Sequence, residues 1–299
     1  MNWALLSLTS AVFLGLYDVC QKHALRDNAV VAVLLGSTAT SASVWGTLLV
    51  VGRLAPGALP GSLSVPPLGV VEHAELLLKS TIVAASWLCS YLAVKHLPIS
   101  LAAPIRATGP LWTLGAALLV LGERPSWLQL LGVATTLTSF LGLSVVGRLE
   151  GVHFHRDRWV GYLVSGTLLG ACSGLYDKLL LGKLKLAPAT VQAWFSIYLV
   201  LLFAPLGLWW WYRNRAEARA FQFRVTIPLL AICLLFADFA YFSALREPRG
   251  LISLVSSVRR GSTLIAFAAG LFLFKERNGK QKLGPVLGIV AGILLTIAG

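Results

Sequence analysis

Two adjacent arginines, Arg259 and Arg260, lie inside an otherwise apolar stretch that runs from 249 to 274. A charged side chain at the centre of a membrane span costs about 2.5 to 3.5 kcal/mol on insertion scales, while an aliphatic neighbour returns only about 0.3 to 0.6 kcal/mol. The two guanidinium groups therefore have to face protein or water. Guanidinium groups offer planar, bidentate donors to carboxylates and phosphates, so this pair is a candidate anion-binding site.

A third arginine and an aspartate lie at a similar depth. Arg106 is eight residues into the apolar stretch 98–121, and Asp238 is eight residues from the end of the stretch before the arginine pair, about 12 Å deep in each case. Asp238 is predicted to pair with Arg259 or Arg260, because an ion pair lowers the cost of insertion. The alternative is that the arginines only hold helices together, through Asp238 and backbone carbonyls.

Two further aspartates follow the same tripeptide, Gly-Leu-Tyr, in distant parts of the chain. Asp18 follows Tyr17, and Asp177 follows Tyr176. Acidic residues inside membranes often relay protons, so these four residues are predicted to serve in proton coupling or as gates. Local ion pairs with the neighbouring lysines, Lys22 and Lys178, are an equally good explanation of the two aspartates.

Tyrosine also recurs at a second pair of equivalent positions. Tyr91 begins YLAVKHLP, and Tyr241 begins YFSALREP. Both are predicted to line a cavity beside the arginines, although tyrosine is also common in the interfacial belts of membrane proteins. The predicted substrate-binding residues are Arg106, Arg259, Arg260, Asp238, Tyr91 and Tyr241.

The composition shows what kind of scaffold must position these residues. The chain is 57% hydrophobic and 12% charged, with a mean hydropathy of +0.78, which is too apolar for a soluble domain. A membrane span needs about 20 mostly apolar residues. Ten such spans are predicted, at 3–22, 29–52, 76–95, 98–121, 126–147, 159–178, 190–212, 226–246, 249–274 and 279–298.

The chain repeats itself. GLYDVCQKHAL at 15–25 recurs as GLYDKLLLGKL at 174–184, and the segment 106–123 aligns without gaps on 259–276. The unit is five helices, and because five is odd, tandem copies must enter the membrane from opposite faces. The prediction is an all-α integral membrane protein with ten transmembrane helices in two inverted five-helix repeats, 1–147 and 159–299. Duplication that merely enlarged a helix bundle is the alternative.

Two sets of residues are predicted to be structural. Lys79, near the start of the third span, is expected to snorkel to the interface. Gly284, Gly288 and Gly292 recur every four residues in the last span, which predicts a face for close helix packing. Gly132 is expected to face that seam or a second subunit.

The ten spans and the duplication resemble the EamA-type members of the drug/metabolite transporter superfamily. The resemblance includes the helix ends GE at 122–123 and KE at 275–276, and Pro110 thirteen residues before Glu123. It implies a secondary carrier or exporter of small metabolites with a cavity between the halves. Thr263 stands where the first repeat has Pro110, so the two helices need not bend alike. The arginine pair also looks like the phosphate-binding pair of the triose-phosphate translocator branch.

The predicted function is alternating-access transport of a small polar metabolite that is anionic or carries a carboxylate. A membrane enzyme acting on phosphorylated or lipid-linked substrates, and an accessory subunit, are the alternatives. The expected partners are a small-molecule substrate, the lipid bilayer and, as an option, a second copy of the chain. The net charge of +13 lies in short loops without a nucleic-acid motif, so no nucleic acid is expected. No cofactor, metal ion or enzymatic activity is predicted, and the bacterial inner membrane is the expected location.

Overall fold

The computed structural model describes residues 2–26, 28–55, 57–96, 105–106, 108–146, 158–215, 221–262, 264–265 and 279–299. The regular structure of these residues is helical, with ten α-helices and a short 3-10 turn at Gly61–Leu63. The α-helices are α1 Asn2–Leu25, α2 Val30–Leu54, α3 Val70–His96, α4 Gly109–Ala116, α5 Trp127–Val146, α6 Arg158–Lys178, α7 Pro188–Arg213, α8 Thr226–Arg246, α9 Ile252–Arg259 and α10 Gly279–Ala298.

Each α-helix lies within or across one of the ten predicted spans. Five of them, α1, α2, α3, α7 and α8, are long and apolar enough to cross a membrane. The start of α3 differs from the prediction, because this helix begins at Val70 rather than at residue 76. Val70 and Val71 extend the apolar run, and Glu72 in the first turn favours a helix N-terminus because its charge complements the helix dipole.

Two helices widen into π-helical turns where they end. α4 continues as a π turn over Ala117–Leu121, and α6 continues as one over Leu179–Lys183. After the first of these turns, Gly122 has a φ of 65°, a left-handed conformation that glycine adopts without steric cost. The turn directs the next residue, Glu123, into the protein, where it is buried.

Helices of the first half of the chain pack against helices of the second half, and we call these contacts exchanged. α1 packs against α8 and α9, while α6 packs against α3 and α4. If each helix of the first half is matched with the helix five places later, these two sets are equivalent. α2 with α7, and α5 with α10, pair equivalent helices directly.

A serine hydrogen bond joins the helices in each of two pairs, α1 with α8 and α3 with α6. The Ser10 hydroxyl of α1 donates to the Ala237 carbonyl of α8 at 2.7 Å. The Ser86 hydroxyl of α3 donates to the Gly166 carbonyl of α6, also at 2.7 Å. Both serines are buried, so these bonds join helix backbones in the interior of the bundle.

The predicted glycine seam lies between α5 and α10. A side chain on Gly288 would collide with Ser139, and one on Gly292 would collide with Thr136, whereas Gly284 has open space around it. The seam is therefore confirmed for two of the three glycines. Gly132 lies against Thr296 of α10, so it is used within the chain, and an association between two copies remains a prediction.

Candidate functional site

The arginine pair lies at a break in a helix. α9 ends at Arg259, residues Arg260 and Gly261 form a turn, and helical geometry resumes at Ser262. Across the break, the amides of Arg260 and Gly261 donate to carbonyls three residues earlier, at 3.1 and 2.9 Å. This tighter bonding interrupts the α-helical pattern and changes the direction in which successive side chains leave the backbone.

The same break occurs at Arg106, which aligns with Arg259. Arg106 is helical, Thr108 is in a turn, and α4 begins at Gly109. The Thr108 amide donates to the carbonyl three residues earlier at 3.1 Å, as the Gly261 amide does at 2.9 Å. Irregular backbone at membrane depth is tolerated where it is buried in protein or lines a water-filled cavity. The two aligned arginines therefore lie beside matching breaks in the helix backbone.

Arg259 has its own carboxylate partner. Its guanidinium forms an ion pair with Asp238 of α8, and its central carbon lies 4.4 Å from the centroid of the Tyr241 ring. The predicted pairing of Asp238 with one of the two arginines is thus confirmed. A cation over an aromatic face is further stabilised by the ring quadrupole, so the charge of Arg259 is compensated within the protein.

Arg260 and Arg106 lie near a different carboxylate, that of Asp18. Asp18 of α1 lies within electrostatic range of Arg106, Arg260 and Arg259, with the strongest interaction to Arg106. The Asp18 side chain makes no hydrogen bond or close ion pair with another described side chain. Arg260 is partly buried and Arg106 is exposed. Two guanidinium groups are thus available on the side of the cluster where Asp18 is their nearest acid.

A glycine makes room for Arg260. A β-carbon built on Gly109 would lie 3.0 Å from Nη2 of Arg260 and 3.6 Å from Cγ2 of Thr167. The first of these distances is shorter than an ordinary van der Waals contact. The guanidinium group can therefore lie against the start of α4 because residue 109 has no side chain.

Two of the predicted tyrosines are joined to each other. The hydroxyl groups of Tyr17 and Tyr91 are 2.6 Å apart. The Gln21 amide donates to the Tyr17 hydroxyl at 3.0 Å and also bonds Tyr91. Both tyrosines interact electrostatically with Arg106 and Asp18. This polar cluster between α1 and α3 therefore adjoins the two arginines that Asp18 faces.

Asp177 has different surroundings from Asp18. It forms an ion pair with Lys79 of α3, and the exposed fractions of the two residues are 4% and 1%. The Lys79 ammonium lies 4.3 Å from the centroid of the Phe195 ring and 5.0 Å from that of Phe242. The prediction that Lys79 snorkels is wrong, because the earlier start of α3 places it about 14 Å along the helix.

The two other residues predicted near Asp177 have other partners. Lys178 donates to the carbonyls of Leu245 at 2.9 Å and Gly250 at 2.6 Å, so it does not neutralise Asp177. The Tyr176 hydroxyl donates to the Glu75 carboxylate at 2.8 Å. Tyr176 therefore lies outside the arginine cluster, unlike its counterpart Tyr17.

The first half of the chain matches a known family of proteins. Residues 1–145 match the sequence profile of the EamA-like transporter family. This half is EamA-like. The resemblance found in the sequence is thereby confirmed for residues 1–145, and such a match suggests a membrane transporter of the drug/metabolite transporter type.

A solved crystal structure of another protein has a similar fold over nearly all of both chains. The match covers 99% of this chain and 97% of the other, with a TM-score of 0.68 and 15% sequence identity. At this identity the likeness concerns the fold alone. It extends through both halves, beyond the EamA-like residues. No curated protein matches the chain.

A small cavity is bordered by Asp238 but not by the arginines. Its volume is about 20 Å³, and it is bounded by side chains of α2, α3, α7 and α8, including Asp238. A space of this size holds a water molecule rather than a metabolite. Its polar lining consists of Ser37, Thr38, Ser41, Gln192, Ser196 and Asp238.

Lys79 and Gln21 are among the residues of the EamA-like half that contribute to the polar interior without being predicted to do so. Lys79 could have been placed correctly from the apolar residues before it and from Glu72, which together indicate an earlier start for α3. Gln21 is four residues after Tyr17, and this spacing places both side chains on one face of a helix. The spacing was a usable signal, because the two residues are hydrogen-bonded in the structure.

Proposed function

We propose that the chain is a secondary carrier or exporter of a small polar metabolite that bears a carboxylate or phosphate group. Arg106 and Arg260 bind the anionic group in this proposal, with bidentate donors that suit either acid. The supporting observation is the distribution of charges in the core. Asp238 compensates Arg259, and Asp177 compensates Lys79, so Arg106 and Arg260 remain with Asp18 as their nearest acid.

The count of charges among these residues agrees with an anionic ligand. Four cations face three carboxylates, which leaves one positive charge in excess. A preformed excess of positive charge in a partly desolvated site attracts anions. The cations are Lys79, Arg106, Arg259 and Arg260, and the carboxylates are Asp18, Asp177 and Asp238.

The transport mechanism in this proposal is alternating access between two inverted halves, 1–147 and 159–299. Two observations support it: the exchanged helix contacts, and the helix break that recurs at Arg106 and Arg259. Transporters with inverted repeats place substrate sites at such discontinuous helices and move one half against the other. The bacterial inner membrane remains the location that we expect.

The two predicted coupling aspartates have different roles in this proposal. Asp18 faces the same arginines as the substrate, so it is suited to exchange a proton or to compete with the substrate anion. Asp177 is held by Lys79 and serves to join α6 to α3. Tyr17 and Tyr91 orient the polar part of the substrate, and Tyr241 supports Arg259.

Transport by the purified chain in proteoliposomes tests the proposal. Liposomes that contain only this protein should exchange a labelled carboxylate or phosphate metabolite, and Arg106→Ala or Arg260→Ala should abolish the exchange. Lysine at either position should restore it only in part, because a point charge lacks the bidentate geometry. The anion site would be refuted if the protein transported cations or neutral solutes and both alanine variants left that transport unchanged. If no solute moved at all, an accessory role would be favoured.

A further inference from the structure

Glu123 is a buried carboxylate that caps the helix carrying the arginine pair. Its Oε1 accepts a hydrogen bond from the Ile252 amide at 2.7 Å. Its Oε2 accepts bonds from the Ser253 amide at 3.2 Å and the Ser253 hydroxyl at 2.7 Å. Glu123 is 8% exposed and joins the end of α4 to the beginning of α9.

The chain before α9 is fixed at a second point. Lys178 binds the carbonyls of Leu245, near the end of α8, and of Gly250, in the connection to α9. The connection turns so tightly at Gly250 that any side chain there would collide with the Ala244 carbonyl. Glu123 and Lys178 therefore hold a short connection from both of its ends, and they also interact electrostatically with each other.

This arrangement determines where α9 begins, and α9 determines where its arginines lie. Arg259 is seven residues after Ile252, a distance of about 10 Å along a rigid helix. The first amides of a helix have no partner within the helix, and a missing partner is expensive where water is scarce. A carboxylate is also favoured at this end of a helix by the helix dipole.

We propose that Glu123 is a positioning residue for Arg259 and Arg260, acting through the N-terminus of α9. The proposal rests on the anion site of the proposed function for its effect on ligand binding. It does not rest on that site for the effect of Glu123 on α9 itself. Glu123 contacts no ligand in this account, and its effect on binding is indirect.

Amide hydrogen exchange of the purified full chain tests the positioning role without any ligand. In Glu123→Gln, we expect the amides of residues 252–260 to exchange about tenfold faster, in keeping with the loss of a helix cap. Ser253→Ala removes one of the three bonds without changing the charge, and should give a smaller increase of about threefold. In the double variant, the increase in exchange rate should be smaller than the product of the two single increases, because both changes break the same hydrogen-bond network.

Glu247→Gln is the matched control, because it makes the same chemical change at the same end of the bundle. In this control, the amide exchange rates of residues 252–260 should stay within about twofold of those of the wild type, well below the effect of losing a helix cap. If Glu123→Gln and Ser253→Ala both match this control, the positioning role is wrong. The Ser253→Ala variant decides the question if Glu123→Gln does not fold.

Inorganic phosphate provides a second readout on the same variants. Phosphate that binds the folded protein raises its midpoint of thermal unfolding, and Glu123→Gln should need about tenfold more phosphate for the same rise, a loss that matches the loosened cap. Faster exchange with unchanged phosphate response would show that Glu123 supports α9 without positioning its arginines, which overturns the proposal. A wild-type protein that ignores phosphate would instead count against a phosphate site, and amide exchange at Arg259 and Arg260 themselves would then decide whether Glu123 positions them.

Discussion

Asp18 and Asp177 occupy equivalent positions in the two repeats, but the protein surrounds them differently. Asp177 is almost fully buried and forms an ion pair with Lys79. Asp18 is partly exposed and lies within electrostatic range of Arg106 and Arg260. The repeats therefore share a backbone pattern while they distribute charge unequally, and we infer that one aspartate serves the fold while the other belongs to the site.

The Lys79–Asp177 pair is enclosed in a way that compensates for the loss of water. Removing two charges from water costs several kcal/mol per ion, and mutual attraction offsets this only with good geometry. Phe195 and Phe242 place their ring faces near the ammonium, which adds a cation–π attraction. Loss of either partner should therefore be far more damaging than loss of both.

The largest expected effect follows from breaking this pair. Lys79→Met keeps the length of the side chain but leaves the Asp177 carboxylate buried without a partner, which should lower the free energy of unfolding by about 3 to 5 kcal/mol. Adding Asp177→Asn should recover most of that loss, because no unpaired charge remains. Denaturant unfolding in detergent, followed by tryptophan fluorescence, measures both. If Lys79→Met alone were as stable as the wild type, the contrast between Asp177 and Asp18 would have no basis.

A smaller effect is expected at Asp18. Asp18→Asn should change the free energy of unfolding by less than about 1 kcal/mol, because its carboxylate is only partly buried and has no close ion pair. It should raise the affinity for an anionic ligand about tenfold, since a competing carboxylate near Arg106 and Arg260 is removed. Isothermal titration gives the affinity. Destabilisation as large as that of Lys79→Met would mean that the two aspartates have the same role.

The smallest expected effect concerns the space beside Arg260. Gly109→Ala would place a β-carbon 3.0 Å from the guanidinium and should weaken anion binding by a few-fold, about 1 kcal/mol at most, since a flexible side-chain end can shift. Gly115→Ala, in the same helix, meets nothing within 4 Å and is the control. Equal affinities for the two variants would show that the position of Arg260 does not depend on Gly109.

The positions of the helices could be predicted well from hydropathy, because a membrane span is a long apolar segment of limited length. The last helix, 279–298, has the predicted bounds, and the pairing of Asp238 with one of the two adjacent arginines followed from matched depths. The depth of a residue is proportional to its distance along the helix from the helix end. Depths can therefore be compared wherever the helix ends are correctly located.

Other features could not be predicted, because they depend on contacts between distant residues. Lys79 was misplaced by an error of six residues in the start of α3. The capping of α9 by Glu123 joins residues about 130 positions apart, and no local pattern indicates it. Because Pro110 has no counterpart in the second repeat, the two helices need not bend alike, yet the backbone breaks beside Arg106 and Arg259 have the same three-residue hydrogen-bond spacing. Thr263 itself lies outside the described residues.

The most direct measurement compares anion-induced stabilisation in variants of the two charge groups. Purified protein is heated with a panel of carboxylate and phosphate metabolites at constant ionic strength, and the midpoint of unfolding is recorded. We predict that Arg106→Gln and Arg260→Gln lose the stabilisation, whereas the Lys79→Met/Asp177→Asn double variant keeps it. Stabilisation that survives in both arginine variants and disappears in the double variant would contradict the account.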